Sequence, residues 1–308
     1  MTDKTGPDTL AALALVPEQL PAYVRAVAGS KLHFCEGFAV YVNNGEAVLV
    51  GYPLANTVDL AMHASEQPDP ALERVIAGVS GWPGLTRLHV LAPQRPKEVP
   101  HHLPGYTESA DRYLCIDLPC LNTGDNFSGV ASQKLRNMLR RAARELAVSV
   151  ESWNDECRAL VDSFLASRVL ESGTRHIFGQ LASYAALSVV TLFAARNRKD
   201  ASLHGFCLCD CTPLTTAFYM FAFRRDDAVP GTADLLLHAL LKEAQRNGYE
   251  RVNLGLAING GIGFFKTKWG AREFLPLLEC SWPLAAPEPE RSKTLCNAWD
   301  RAKKSFWG

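Results

Sequence analysis

Residues 251–271, RVNLGLAINGGIGFFKTKWGA, constrain the fold of this chain more than any other stretch. They open with alternating apolar residues, Val252, Leu254 and Leu256, which read as the end of a strand. Asn259, Gly260, Gly261 and Gly263 then make a glycine-rich bend, and a short helix follows. Phe264 and Phe265 anchor that helix, while Lys266 and Lys268 bring positive charge to whatever sits above the bend. A strand, a pliable backbone and a cation in that order form a place to hold an anionic group.

A chain of 308 residues has material for about two domains with sizeable cores. Lys plus Arg and Asp plus Glu balance at 32 each, so no bulk field draws the molecule to nucleic acid and any basic site must be local. No apolar run is long enough to span a bilayer, and the opening MTDKTGPDTL lacks the basic-then-apolar order of a signal peptide. The expected compartment is the cytoplasm. Nine cysteines, odd in number and irregularly spaced, read as reduced thiols. Cys207, Cys209 and Cys211 alternate along an expected strand, without the spacing by which a turn brings zinc ligands together. They read as small buried side chains, and no metal is expected.

Taken in order, the first half has a mixed α/β pattern. A helix is expected at 22–28 and a hairpin through Asn43, Asn44 and Gly45, followed by a helix at 68–80 and strands at 85–93 and 112–118. It holds no glycine-rich phosphate loop, and His101-His102 read as a solvated pair in a proline-flanked loop. Residues 1–120 therefore look structural, with a turn-rich boundary at 119–129. A helix over 132–146 carries Leu135, Met138, Leu139, Ala142 and Leu146 on one stripe and Arg136, Arg140 and Arg144 on another. That basic ridge is either a solvated face or a binding surface.

Beyond it come a strand at 147–152, a helix at 155–170 and a polar loop at 171–176 that adds Arg175 and His176 to the candidates. A hairpin of strands 202–210 and 214–223 makes the expected floor of a site, with His204 and Tyr219 as its polar groups. Arg224 and Arg225 then lead through Gly231, Thr232 and Ala233 into a helix at 234–247, whose amino terminus suits a pyrophosphate. The tail, 287–308, places Trp299, Ala302 and Phe306 on a partial apolar stripe and reads as a packing helix.

The 251–271 stretch resembles the last third of GNAT-type acyltransferases, where a strand ends in Asn and a Tyr acid and a Gly follow. Lys266 stands where that Tyr would, and Gly270 matches the Gly. The Phe265-Lys266 pair is similar to Fem-type aminoacyl transferases, whose second domain also opens with a basic helix and a strand like 132–152. Gly231-Thr232-Ala233 matches the second half of the GNAT coenzyme A motif; Ala228 breaks the first half, leaving Arg224 and Arg225 to serve by another route. The resemblance implies an α/β chain of two GNAT-like lobes, each a twisted mixed sheet flanked by helices, with 121–286 the catalytic lobe.

It also implies acyl transfer to an amine or hydroxyl, with Lys266, Asn259 and Tyr219 as catalytic candidates. The backbone at Leu254 to Leu256 would supply the oxyanion contact, and Lys266 an electrostatic clamp. Acyl-CoA or an acyl carrier is the expected donor, held by Arg224, Arg225, Gly231, Thr232 and Ala233. The alternative is aminoacyl-tRNA, bound by Arg136, Arg140, Arg144, Arg175, His176 and Lys268. A third reading is a non-catalytic ligand-binding module. No cofactor is expected to be permanently bound, and the acceptor would be a small molecule or a cell-envelope precursor. The sequence does not encode the oligomeric state.

Overall fold

A computed structural model describes residues 7–52, 69–97, 99–120, 127, 132–170 and 172–284. The first elements are α1 (Pro7–Ala12), α2 (Pro21–Ala28), β1 (Lys31–Cys35), β2 (Phe38–Asn43), β3 (Glu46–Val50), α3 (Pro70–Ser80), β4 (Arg87–Ala92) and β5 (Thr107–Asp117). The second half supplies α4 (Gln133–Glu145), β6 (Leu146–Glu151), α5 (Asp155–Ser167), α6 (Ser172–Gly179), α7 (Leu181–Ala185), β7 (Val190–Asn197), β8 (Leu203–Asp210) and β9 (Thr216–Arg224). The last are α8 (Thr232–Arg246), β10 (Arg251–Leu256), α9 (Gly260–Thr267) and β11 (Arg272–Pro283).

The strands form one mixed sheet in the order β1-β2-β3-β4-β11-β5-β10-β9-β8-β7-β6. Local signals hold where chemistry is local. Asn44 and Gly45 take φ of 48° and 78°, the turn that suits the twist of the β2–β3 hairpin. Ser132 caps α4 and Asn154 caps α5, each side chain accepting a backbone N–H of the first turn.

Three differences from expectation follow from tertiary context. Residues 172–176 are not a polar loop but the start of α6, because Ile177 and Phe178 bury that helix in the core. Strands β1 and β11 are not among the strands expected from sequence. β11 is nevertheless the sheet's central clasp, antiparallel to β4 on one side and to β5 on the other. The sheet also runs across residue 120: β5, from the first part of the chain, pairs with β10. The expected tail helix at 287–308 and most of the boundary stretch lie outside the described residues.

Three apolar clusters hold the layers. One lies under α2, α5, α6 and α7, a second under α4 and α8, and a third joins α3 to β2 and β4. For the site, the decisive detail is the parallel pair β9–β10. Its register runs only from Arg251↔Thr216 to Asn253↔Phe218, although β9 continues to Arg224 and β10 to Leu256. The two strands separate toward their carboxyl ends, and each then turns into a helix.

Candidate functional site

The first of these turns, from β10 into α9, is built around a bulge. Gly255 adopts φ of 76°, and the register against β5 shifts between Asn253 and Leu256. Asn253, fully buried, fixes the bulge from both sides: its Oδ1 accepts from the Gly255 N–H at 2.7 Å and its Nδ2 donates to the Leu15 carbonyl at 2.8 Å. Ile258 then takes φ of 56°, a left-handed conformation unusual for a β-branched residue. Its N–H donates to Asp111 Oδ2 at 3.0 Å. Asn259 caps α9, accepting from the Ile262 N–H at 3.0 Å.

Lys266 reaches back along α9, and its Nζ donates to the Leu256 carbonyl. It is only 2% exposed. Burial disfavours the ammonium form and lowers its pKa to about 7, with the Asp111 charge opposing the shift. The turn itself opens on a cleft of about 550 Å³, lined by Asp111, Arg112, Ile258, Asn259, Gly260 and Phe264 among others, with Lys266 behind that lining. Phe264 is 72% exposed. The first-turn amides of α9, at Gly260 and Gly261, have no intrahelical acceptor.

The second turn, from β9 into α8, is closed. Gly231 has φ of 93°, and a Cβ there would lie 2.9 Å from Met138 Cγ and 3.2 Å from Ala142 Cβ, so α4 packs directly on it. Thr232 is buried and its hydroxyl donates to the Val229 carbonyl at 2.6 Å, as does its N–H at 3.1 Å. The Val229 N–H donates to His204 Nδ1 at 3.2 Å, which places any proton of the neutral ring on Nε2. In the first turn of α8, buried Asp234 accepts from Trp269 Nε1 at 2.8 Å and pairs with Lys268 Nζ at 2.6 Å. These contacts tie α8 to the end of α9.

The residues singled out from sequence therefore divide. Lys266 and Asn259 meet at the β10–α9 turn, Asn259 as a helix cap. Tyr219 does not join them: it is buried in the α4–α8 cluster, where desolvation holds its phenol well above its usual pKa. Leu254 and Leu256, whose backbone is the expected oxyanion contact, are buried in different clusters, and the Gly255, Ala257 and Ile258 amides around them are engaged within the protein. Gly255 N–H goes to Asn253, Ala257 N–H to the Arg112 carbonyl and Ile258 N–H to Asp111.

At Gly231, Thr232 and Ala233, where a pyrophosphate cradle is expected, α4 packs on Gly231 and Thr232 spends its hydroxyl and N–H on the Val229 carbonyl, while Gly231 and Ala233 stay half-buried. Arg224 is exposed, and Arg225 pairs with Asp227 at 2.6 Å; both line a separate cleft of about 470 Å³ against α5. Lys268 is committed to Asp234 and lies over the Phe265 ring at 4.7 Å. Arg175 donates to the Leu165 carbonyl at 3.1 Å, joining α6 to α5, and His176 is exposed on the same helix. On α4, Arg140 and Arg144 are exposed with Lys134 and Arg141, whereas Arg136 is half-buried and bonds Gln133. Cys207 and Cys209 are buried with their sulfurs 3.8 Å apart. Asp111, Asn253 and Asp234 went unnoticed in sequence, because each acts on a residue distant in the chain or on a bulge that period-two patterning does not reveal.

Residues 121–285 match the family described as phosphatidylglycerol lysyltransferase, C-terminal. No curated protein matches the chain. Among solved structures, the chain is similar to the C-terminal domain of a putative lysylphosphatidylglycerol synthetase from Agrobacterium fabrum. Identity is 17%, coverage 89% of this chain and 91% of that one, and the TM-score 0.54. It is also similar to L-PGS from Bacillus licheniformis at 14% identity, with coverage of 89% and 93% and a TM-score of 0.53. FemX aligns at 9% identity over 88% of this chain and 94% of its own, with a TM-score of 0.54. At these identities the likeness is one of fold. Among the described residues, no helix is long and apolar enough to cross a membrane.

Proposed function

This chain belongs to the phosphatidylglycerol lysyltransferase C-terminal family, and on that premise we propose that it is an aminoacyltransferase using aminoacyl-tRNA as donor and a lipid-headgroup hydroxyl as acceptor. The observation that carries the choice of donor is the closed β9–α8 turn. Coenzyme A would need a pyrophosphate cradle there, and Gly231 is instead packed on Met138 and Ala142. α4 makes that contact through Met138 and Ala142 and carries Arg140 and Arg144 on its opposite, exposed face, which would meet the phosphates of a tRNA.

In this reading the acceptor hydroxyl oxygen attacks the ester carbonyl of the aminoacyl group. A tetrahedral oxyanion forms, the bond to the ribose oxygen breaks, and the ribose leaves with a proton. Amides at the start of α9, facing the cleft, are the donors we assign to the oxyanion. Lys266, near-balanced between its two forms at neutral pH, takes the acceptor's proton and returns one to the ribose oxygen. Its earlier role as a clamp is thereby extended to proton transfer. Residues 121–286 carry the chemistry, and Asn259 positions α9.

The test supplies purified protein with radiolabelled lysyl-tRNA and phosphatidylglycerol vesicles, with acetyl-CoA plus an amine as the second arm. We expect label in the lipid phase with the first donor and its loss in Lys266→Ala. Transfer only from acetyl-CoA would overturn the choice of donor. No turnover with a panel of aminoacyl-tRNAs and lipids would favour the non-catalytic module.

A further inference from the structure

The carboxylate of Asp111 sits on β5, ahead of the stretch that matches the family, in the part of the chain that sequence reads as structural. It nevertheless lines the cleft. Its Oδ2 accepts the N–H of Ile258, the residue held at φ of 56° where β10 becomes α9, and its Oδ1 accepts the Arg112 N–H at 2.7 Å. The Arg112 carbonyl in turn accepts the Ala257 N–H at 3.0 Å. Two consecutive residues of β5 thus hold two consecutive residues of the turn.

We propose that Asp111 is a positioning residue of this site: it locks the β10–α9 turn in its left-handed conformation and sets a carboxylate on the same turn whose Leu256 carbonyl takes the Lys266 amine. The proposal rests on the reading of Lys266 given above. A left-handed backbone at a β-branched residue persists only when its surroundings over-determine it, and the Asp111 bond is such a determinant. Three pairs of charged groups on neighbouring elements offset one another. Arg112 of β5 pairs with Glu273 of β11 at 2.6 Å, Lys268 of α9 with Asp234 of α8 at 2.6 Å, and Arg272 of β11 with Asp117 of β5. Among the described residues, Asp111 is in no ion pair and is the charge that acts on Lys266, favouring its protonated form.

The experiment compares Asp111→Asn, which keeps an oxygen for the Ile258 N–H but loses the charge, with Asp111→Ala, which loses both. One readout is the pH dependence of chemical labelling of the Lys266 amine, followed by mass spectrometry, which needs no turnover. The other is amide hydrogen exchange at 258–263.

We expect both variants to move the labelling midpoint downward, by about one pH unit. Only Asp111→Ala should speed exchange at the turn, by tenfold or more, an order-of-magnitude expectation for losing the bond. An unchanged midpoint in Asp111→Asn overturns the electrostatic part, and unchanged exchange in Asp111→Ala overturns the locking part. If Asp111→Ala fails to fold, Asp111→Asn still decides the first, and Asp111→Ser, with one hydroxyl oxygen, decides the second. A shifted midpoint in a protein that transfers no aminoacyl group would sink the proposed function and leave this inference standing. Transfer by the native chain with an unmoved midpoint does the reverse.

Discussion

The two strand-to-helix turns at the carboxyl ends of β9 and β10 are made of similar material and have come to opposite ends. Both carry glycine, both lead into a helix amino terminus, and both look from sequence like anion sites. At β9–α8 the glycine is a contact: α4 occupies the space a side chain would need, and Thr232 turns its hydroxyl and amide inward. At β10–α9 nothing lies within 4 Å of a Cβ built on Gly260, and the turn opens on a cleft with a buried amine behind its lining. A glycine before a helix is therefore no site in itself; what packs on it decides.

The comparison can be broken most directly at Lys266. Lys266→Met should lower transfer by about 100-fold or more, the scale of a lost proton-transfer group. It should also stabilise the fold. The folded pKa lies near 7 and the unfolded one at 10.5, so between them the unfolded chain holds a proton that the folded chain has released. Stability of the native protein accordingly rises with pH across that window, and below it the burial cost is fully present. Urea titrations should show the Met variant ahead by at most about 5 kcal/mol at low pH, less the cost of leaving the Leu256 carbonyl unpaired. The gain should fade toward pH 10.5. An advantage independent of pH would mean that the amine is not held as described.

A smaller effect is expected at the closed turn. Gly231→Ala combines a positive φ with a close contact on Met138, and should cost about 2–3 kcal/mol in a denaturant titration. Trp269→Phe should cost about 1–2 kcal/mol by leaving Asp234 one partner short. Smallest of all, Gly260→Ala in the open turn should change stability by about 0.5 kcal/mol or less, because its φ is ordinary and its space empty. Equal costs at Gly231 and Gly260 would erase the distinction between the turns.

Much of this was legible in the residues. The strand-bend-helix of 251–271, the lysine at the acid's place and the basic stripe of α4 are local patterns, and local chemistry produces them. The hairpin through Asn44 and Gly45 is of the same kind. What the residues did not disclose depends on where distant segments meet. β11 slots between β4 and β5, partners far from it in the chain, and Tyr219, polar in name, is swallowed by the α4–α8 core.

The sequence by itself determined most of the local elements and put a lysine on the helix that follows a glycine bend, because spacing and backbone preference act over a few residues. Only the tertiary structure decided which bend stayed open, which cation lost its water and which carboxylate, 155 residues from Lys266 in the chain, joined it at the same turn. Desolvation and charge act through space, and their partners are chosen by packing.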